Sequence, residues 1–375
     1  MSKNSKIKLG ILGYGKIGKI HTNILRDNPD VSIIGVSDIS SKCLRKDSDK
    51  EIKYFKNYKK LVSQVDAMII ATPHPNHLEQ TNYCLDKEKH VFLEKPISHS
   101  IHEAKKILKK YNKNKSDLIL EINFHHRTSP FFEYITNAIN NNTIGNILTY
   151  EVTSSKWFRG ENYFNQAEWR GTWKGEGGGI LINQASHDLD LLFNLFGYPK
   201  KVQGVVQSNI PNVEVETNFQ CIFNYENNMT GYVRASNSLL PIEEKIIFYG
   251  TKGTINYTNG TLSTHLFPET LKNIQKNTTD FKTNTIKQEL IQLEEWDDLN
   301  GWKKMIDNFI DSINHKSSAF VSIDDAIGSL ELANAITLSS LKDKSIYFPI
   351  NQTEYKKTYL DLLNKKIKLE RGGIQ

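Results

Sequence analysis

The chain has 375 residues, 38% of them hydrophobic and 24% charged. Those are the proportions of an ordinary globular protein, long enough for two domains and for a core that needs no disulfides. The net charge of +6 is spread along the chain among lysines. It reads as a solvated surface, which argues against a nucleic-acid partner, and no apolar run reaches the roughly 18 residues of a membrane span.

Ile7–Leu12 (IKLGIL) reads as a short buried strand that ends in GYGKIG. The basic start before it turns glycine-rich too early for a signal peptide and has no small-residue cleavage site, so a cytoplasmic protein is expected. Gly13, Gly15 and Gly18 match G-x-G-x-x-G. A helical pattern (KIGKIHTNILRDN) and a second strand, Val31–Asp38, follow. This strand–turn–helix–strand context is what the motif needs to hold a dinucleotide. Gly13 permits the tight turn, Gly15 lets the backbone approach a pyrophosphate, and Gly18 lets the helix pack on the strand. The helix start, Lys16 and Ile17, offers N–H groups to the phosphates. Asp38 ends the second strand about 20 residues past the glycines, where a carboxylate accepts from ribose hydroxyls and repels a 2′-phosphate. That favours NAD. Lys42 and Arg45 keep NADP as the alternative.

The alternation continues. Asp66–Pro73 and His90–Glu94 read as strands, NHLEQTNYCLDK and SIHEAKKILKKY as helices, and LILEINF as a further strand. Such repetition means a parallel sheet covered on both faces, with ligands at the carboxyl ends of its strands. Thr72, Pro73, His77, Glu94 and Lys95 fall on that edge and are candidate cofactor contacts. Lys95 stands at a strand tip between an acid and Pro96. The proline fixes its own φ and holds the residues before it extended, which sets Lys95 on the edge where a nicotinamide ring would lie.

After about residue 125 the pattern changes. RTSPFFEYITNAINNNTIG reads as a helix ending at Gly145. Strands then dominate: NILTYEVTSSKWF, KVQGVVQSNI, TNFQCIFNY, MTGYVRASNS and EKIIFYGTKGTINYTNGTL, as for a mostly antiparallel sheet. GWKKMIDNFIDSI and IDDAIGSLELANAITLSSLK read as helices, Phe267 to Asn300 as long loops, and the tail after Ile350 as polar with one short helix. The expected domains are residues 1–124, a dinucleotide-binding unit; 125–350, a substrate unit; and 351–375, the tail. Cys43, Cys84 and Cys221 form no C-x-x-C pair and read as free thiols in a reducing compartment.

The stretch Trp169–Pro199, WRGTWKGEGGGILINQASHDLDLLFNLFGYP, is distinctive. Gly177–Gly179 imply a sharp bend or close backbone approach. A helix follows, stopped by Gly197 and Pro199, with Asn183, His187 and Asp190 on one face at i, i+4 and i+7. Taken alone, His187 reads as a solvent-facing histidine. A metal reading of His187, Asp188 and Asp190 fails, because adjacent positions do not face one ion and no paired-histidine signature is present. Arg127 and the loop residues Arg159, Tyr163, Trp169 and Arg170 supply arginine forks and aromatic faces suited to an anionic ligand, and with the resemblance below they become candidates to line a sugar pocket.

The succession GYGKIG, ATPHPNH, EKP, NFHHR and GGGILINQASHDLDLL, with GTKGTI and SIDDAIGSLELANAI closing it, resembles the glucose–fructose oxidoreductase / inositol dehydrogenase / MocA family over nearly the whole chain. The resemblance implies an α/β protein: an N-terminal Rossmann doubly wound parallel sheet, and a C-terminal α+β domain with a large, mostly antiparallel open-faced sheet. It implies NAD(P)-dependent hydride transfer at a carbinol carbon of a sugar, polyol or nucleotide sugar. A homodimer or homotetramer built through the open sheet is also implied. Lys95 maps to the catalytic-site lysine of EKP and His187 to the general acid/base. The inositol branch has an aspartate where this chain has Asn183, so the branch acting on UDP-linked amino-sugar acids fits better. The expected activity is oxidation of a nucleotide sugar or sugar acid. A polyol or aldose dehydrogenase and a non-catalytic dinucleotide sensor are the alternatives.

Overall fold

The structure is a computed structural model describing residues 6–40, 52–113, 118–280 and 285–369. Lys42, Cys43 and Arg45 lie outside the described residues. In chain order the first part runs β1 (Ile7–Leu12), α1 (Lys16–Arg26), β2 (Val31–Ser37), β3 (Tyr54–Phe55), α2 (Tyr58–Val62), β4 (Ala67–Ile70), α3 (His77–Asp86), β5 (His90–Glu94), α4 (Ile101–Lys113) and β6 (Leu120–Asn123). It continues with α5 (Pro130–Asn140), β7 (Ile147–Ser154), α6 (Glu161–Phe164), α7 (Ser186–Phe196), β8 (Lys201–Gln207), β9 (Asn218–Asn224), β10 (Thr230–Ser236), β11 (Glu244–Gly250), β12 (Gly253–Thr258) and β13 (Thr261–Leu266). The last part holds α8 (Leu271–Asn277), β14 (Lys287–Ile291), α9 (Asp298–His315), α10 (Ile323–Lys342), β15 (Ile346–Tyr347) and α11 (Gln352–Leu363).

The chain divides into two compact units, Met1–Thr128 with Asp297–Leu330, and Ser129–Trp296 with Glu331–Gln375. This partition differs from the expected boundaries at 124 and 350. Segment 297–330 belongs to the first unit because α9 buries Met305, Ile306, Phe309 and Ile310 there, with Phe309 against Phe92 of β5 at 5.6 Å between ring centroids. The buried Glu121 of β6 also takes the Phe320 and Val321 amides at 2.8 and 2.7 Å. The tail joins the second unit through α11, whose Tyr359 hydroxyl donates to the Trp173 carbonyl at 2.8 Å.

The first unit holds one parallel sheet in the order β3-β2-β1-β4-β5-β6. This is the doubly wound order, and its winding reverses between β1 and β4. β4 is buried throughout and so is the centre of β5, as strands covered on both faces must be.

The second unit holds a nine-stranded sheet, β14-β13-β12-β11-β7-β10-β9-β8-β15. β7 and β10 pair in parallel; the other neighbours are antiparallel. Along β8 and β9, Val202, Gly204, Val206, Phe219, Cys221 and Phe223 are buried, while Gln203, Val205, Gln220 and Ile222 are exposed. One face therefore builds a core and the other is open.

Three local expectations are corrected. The stretch 267–300 is not all loop: it contains α8 and β14. β14 is an edge strand exposed at Lys287 to Leu290, and α8 buries no residue, so neither carries the apolar periodicity that marks an element. The helix expected to end at Gly145 is shorter. Ser129 caps it by accepting from the Phe132 amide, and it stops at Asn140. Asn183 does not lie on α7 but in the turns before it, since α7 starts at Ser186.

Candidate active site

The residues singled out from sequence fall in both units and are described unit by unit. In the first, Gly13 has φ +91°, and a β-carbon there would meet the Ala71 carbonyl oxygen at 2.5 Å. At Gly18 a β-carbon would meet the Gly13 carbonyl oxygen at 2.0 Å, so the turn and α1 pack as only glycines allow. Gly15 is the opposite case. Its β-carbon would meet nothing within 4 Å, and the residue is exposed. It precedes Lys16 and Ile17 at the start of α1, an end with no side-chain cap and no acidic residue in its first turn. Open space beside uncapped amides at the positive end of a helix fits a pyrophosphate.

Asp38, just past β2, accepts from the Tyr14 amide with Oδ2 and the Ser40 amide with Oδ1, both at 2.8 Å. The carboxylate is thereby pinned to the glycine turn, with acceptor capacity left on each oxygen for ribose hydroxyls. Past β4, the Thr72 hydroxyl donates to Gln80 Oε1 at 2.6 Å, and Pro73 leads into α3. His77 is fully buried, with its two ring nitrogens 2.9 Å from the carbonyl oxygens of Pro96 and Thr72. It sits between the backbone past β4 and the backbone past β5, and when neutral it donates to one of these two carbonyls. Burial holds the His77 imidazole below its ordinary pKa despite those two carbonyls.

Glu94 ends β5 and the half-buried Lys95 follows. Glu94 Oε1 receives His21 Nε2 and Asn123 Nδ2, each at 2.7 Å. Burial alone would raise this carboxyl. The His21 and Asn123 hydrogen bonds, with the Lys95 charge, outweigh it and hold Glu94 below the ordinary carboxylate pKa. Arg127 is buried, and its Nη1 donates to Asp325 Oδ2 at 3.0 Å; that ion pair fastens the turn after β6 to the start of α10 within this unit.

In the second unit Arg159, Tyr163, Trp169 and Arg170 come together. The two guanidinium groups lie over the Tyr163 ring, 4.9 Å (Arg159) and 4.4 Å (Arg170) from its centroid. Arg170 also lies 4.6 Å from the Trp169 ring centroid and donates to the Tyr163 hydroxyl at 2.5 Å. Its Nη1 is 4.0 Å from the buried Glu176, which accepts from Asn183 Nδ2 at 3.1 Å and from the Gly171 amide at 2.7 Å. The arginine cluster thus runs through Glu176 to Asn183.

The glycine run is explained by Glu216. A β-carbon on Gly179 would meet the Glu216 carbonyl oxygen at 1.9 Å. Glu216 Oε1 accepts from the Gly179 and Leu181 amides at 2.8 and 3.1 Å. Burial pushes its carboxyl up to about 7, with Glu176 adding to the rise against those hydrogen bonds. His187 sits in the first turn of α7 and is buried, not on a wet face. Asp188 beside it is also buried, and burial pushes its carboxyl up to about 7.

Sequence reasoning missed His21, Asn123, Glu176 and Glu216. His21 left a signal: it shares the buried face of α1 with Gly18, Thr22 and Leu25, where a histidine needs a partner.

A glycine turn with open space at Gly15, a carboxylate pinned beside it and the doubly wound order define a dinucleotide-binding Rossmann unit. The profile described as "Oxidoreductase family, NAD-binding Rossmann fold" matches residues 7–121, and that of the "GFO/IDH/MocA C-terminal domain" matches residues 132–256. The chain belongs to the GFO/IDH/MocA family. It is 26% identical over 260 residues to the uncharacterized oxidoreductase YrbE of Bacillus subtilis, covering 66% of this chain and 73% of that protein. It is 28% identical over 225 residues to scyllo-inositol 2-dehydrogenase (NADP(+)) IolW of the same organism, covering 60% and 61%. In fold it is similar to the WlbA dehydrogenase from Bordetella pertussis, solved in complex with NADH and UDP-GlcNAcA. There the TM-score is 0.77 at 22% identity, over 92% of this chain and 100% of that one. Among the described residues no helix is long and apolar enough to cross a membrane.

Proposed function

We propose that the protein is an NAD-dependent dehydrogenase of a carbohydrate hydroxyl, with a nucleotide sugar or sugar acid as its substrate class. The observation that carries the substrate class is the pair Arg159 and Arg170 over the Tyr163 ring, linked through Glu176 to Asn183. Each guanidinium lies over an aromatic ring, and N–H donors beyond those Arg170 turns to Tyr163 and Glu176 suit a carboxylate or phosphate. The UDP-GlcNAcA bound by the Bordetella pertussis enzyme is such an anion.

NAD, when bound, supplies the hydride acceptor. Lys95 donates to the reacting oxygen and stabilises its developing negative charge. His187 accepts the hydroxyl proton, for which imidazole has the right basicity. Asn183 orients a neighbouring hydroxyl and cannot carry a proton away. Asp38 selects NAD over NADP by accepting from the ribose hydroxyls and repelling a 2′-phosphate. Arg127, whose Nη1 is paired with Asp325, is read as a further residue lining the sugar pocket. A cytoplasmic homodimer or homotetramer, built on the open sheet face where Val205 and Ile222 are exposed, completes the reading.

An inositol or other polyol is the second reading, favoured by the identity to IolW. NADH formation with a panel of UDP-sugars, sugar acids, polyols and aldoses separates the two, with Lys95→Ala as the blank. Lys95→Ala lowers turnover about a hundredfold or more while NAD affinity stays within a few-fold. His187→Ala flattens the pH profile of turnover. A rate that ignores Lys95, or no product from any member of the panel, overturns the dehydrogenase reading and favours a dinucleotide sensor.

A further inference from the structure

His21, Glu94 and Asn123 form a polar group inside the first unit, on α1, β5 and β6. His21 and Asn123 are fully buried, and the Glu94 side chain is 13% exposed. Both donors converge on one oxygen, Oε1. The His21 ring is further fixed edge-on against Phe92 and Trp302, at 5.7 and 6.4 Å between centroids, and its Nδ1 has no hydrogen-bond partner among the described residues. Nε2 therefore carries the proton of the shared hydrogen bond, since an ionised carboxylate can only accept. A buried carboxylate taking two donors is a fixed negative charge held where the surroundings are poorly screening.

Its place in the fold decides what that charge faces. A doubly wound sheet binds a dinucleotide across two halves. Asp38 at the end of β2 and the glycine turn after β1 mark the adenosine half. The nicotinamide half then belongs to the carboxyl ends of β4, β5 and β6, which carry Thr72, Glu94 with Lys95, and Asn123. Oxidised nicotinamide carries a positive charge on its ring and reduced nicotinamide does not. A fixed anion distinguishes the two by Coulomb attraction alone.

We propose that Glu94 is the residue that biases this site toward the oxidised cofactor, and that His21 is a positioning residue that keeps the Glu94 carboxylate in place. This rests on the dinucleotide reading of the first unit and on no assumption about the substrate.

The experiment is direct titration of the full chain with NAD+ and with NADH, by calorimetry or tryptophan fluorescence, without substrate. Glu94→Gln keeps the shape and removes the charge. It weakens NAD+ by about tenfold and NADH by less than about twofold, as expected for losing one poorly screened negative charge at the strand ends assigned to the nicotinamide half. His21→Phe moves the ratio in the same direction by a smaller factor, and His21→Gln, which restores a donor, recovers it. Equal weakening of both forms, or a greater loss for NADH, overturns the proposal. Should Glu94→Gln not fold, the two His21 variants decide it by whether the NAD+/NADH ratio moves and is rescued. Wild-type protein that binds neither form would remove the dinucleotide reading; wild-type binding with an unmoved ratio in the variants removes only the role of Glu94.

Discussion

Gly179→Ala is the substitution that most directly tests how the turn before His187 is built. A β-carbon at Gly179 would lie 1.9 Å from the Glu216 carbonyl oxygen, 2.8 Å from its carbonyl carbon and 3.0 Å from Val215 Cγ2. The first two obstacles are backbone and cannot rotate away. That same carbonyl accepts from the Ile180 amide at 2.9 Å, and Glu216 Oε1 accepts from the Gly179 and Leu181 amides. Relieving the clash therefore separates the turn from residue 216 and loses these hydrogen bonds together. Overpacking costs about 1–3 kcal/mol, and each hydrogen bond to a charged group contributes about 1.5–3 kcal/mol. Because these terms overlap, the expected loss is about 3–5 kcal/mol and not their sum. Gly178→Ala is the control. Its β-carbon would meet Ile182 Cδ1 and Cγ1 at 3.1 Å, ends of a flexible side chain, and costs about 1 kcal/mol. Urea unfolding of both variants at pH 8 measures the difference. NADH formation should fall in Gly179→Ala with NAD affinity little changed, since the turn belongs to the second unit. Two variants within about 1 kcal/mol of each other would refute the reasoning.

Glu216→Gln tests the pH linkage of the same contact. Burial raises the folded carboxyl to about 7, above its unfolded value near 4.3, so the folded state holds a proton the unfolded state has lost. Ionisation of Glu216 thus costs stability progressively from about pH 4.5 to 7, and the cost persists above. The Gln variant lacks it, so between pH 5 and pH 8 its stability relative to wild type improves by about 2–3 kcal/mol; a difference that does not change with pH sinks the assignment. Arg170→Leu removes the cation over Tyr163 and Trp169, and raises KM for an anionic sugar about 10–100-fold while leaving a neutral polyol unaffected. Equal effects on both substrates would mean that Arg170 only supports the loop. Asp38→Ser loses the carboxylate pinned to the Tyr14 amide and narrows the preference for NAD over NADP about tenfold or more in paired Kd measurements. An unchanged ratio would place the discrimination elsewhere.

What was legible in the sequence was whatever its local pattern encodes. GYGKIG between two apolar runs specifies its own turn, because the requirement for glycine and the switch of period are both local. The Gly177–Gly179 run announced a close approach but not its partner, which is Glu216, far along the chain in the segment leading into β9. For that reason the apolar period, continued by Leu181 and Ala185, carries a helix through Asn183, while the amides of Gly179 and Leu181 turn instead to the Glu216 carboxylate. The membership of α9 in the first unit was hidden for the same cause, since its Phe309 packs on Phe92 across the sequence. β14, with Lys287 to Leu290 exposed, has no apolar side to betray it.

The residues missed share one property, and it bears on mechanism. His21, Asn123, Glu176 and Glu216 are each at most 1% exposed, and each holds by hydrogen bonds a segment that carries a candidate residue. His21 and Asn123 hold Glu94, next to Lys95. Glu176 holds Asn183, and Glu216 holds the turn ahead of His187. His77, expected from sequence to contact the cofactor, is placed the same way: fully buried, with its ring nitrogens 2.9 Å from the carbonyls of Thr72 and Pro96, it donates to one of them when neutral. Buried polar groups are costly unless satisfied, so a hydrophobic residue at any of these positions would ordinarily serve stability as well or better. What an apolar side chain cannot do is fix a backbone segment in one orientation through directed bonds to particular atoms. Within each unit such bonds hold the segment next to each candidate residue, which matters for any hydride-transfer role because that chemistry tolerates little error in placement.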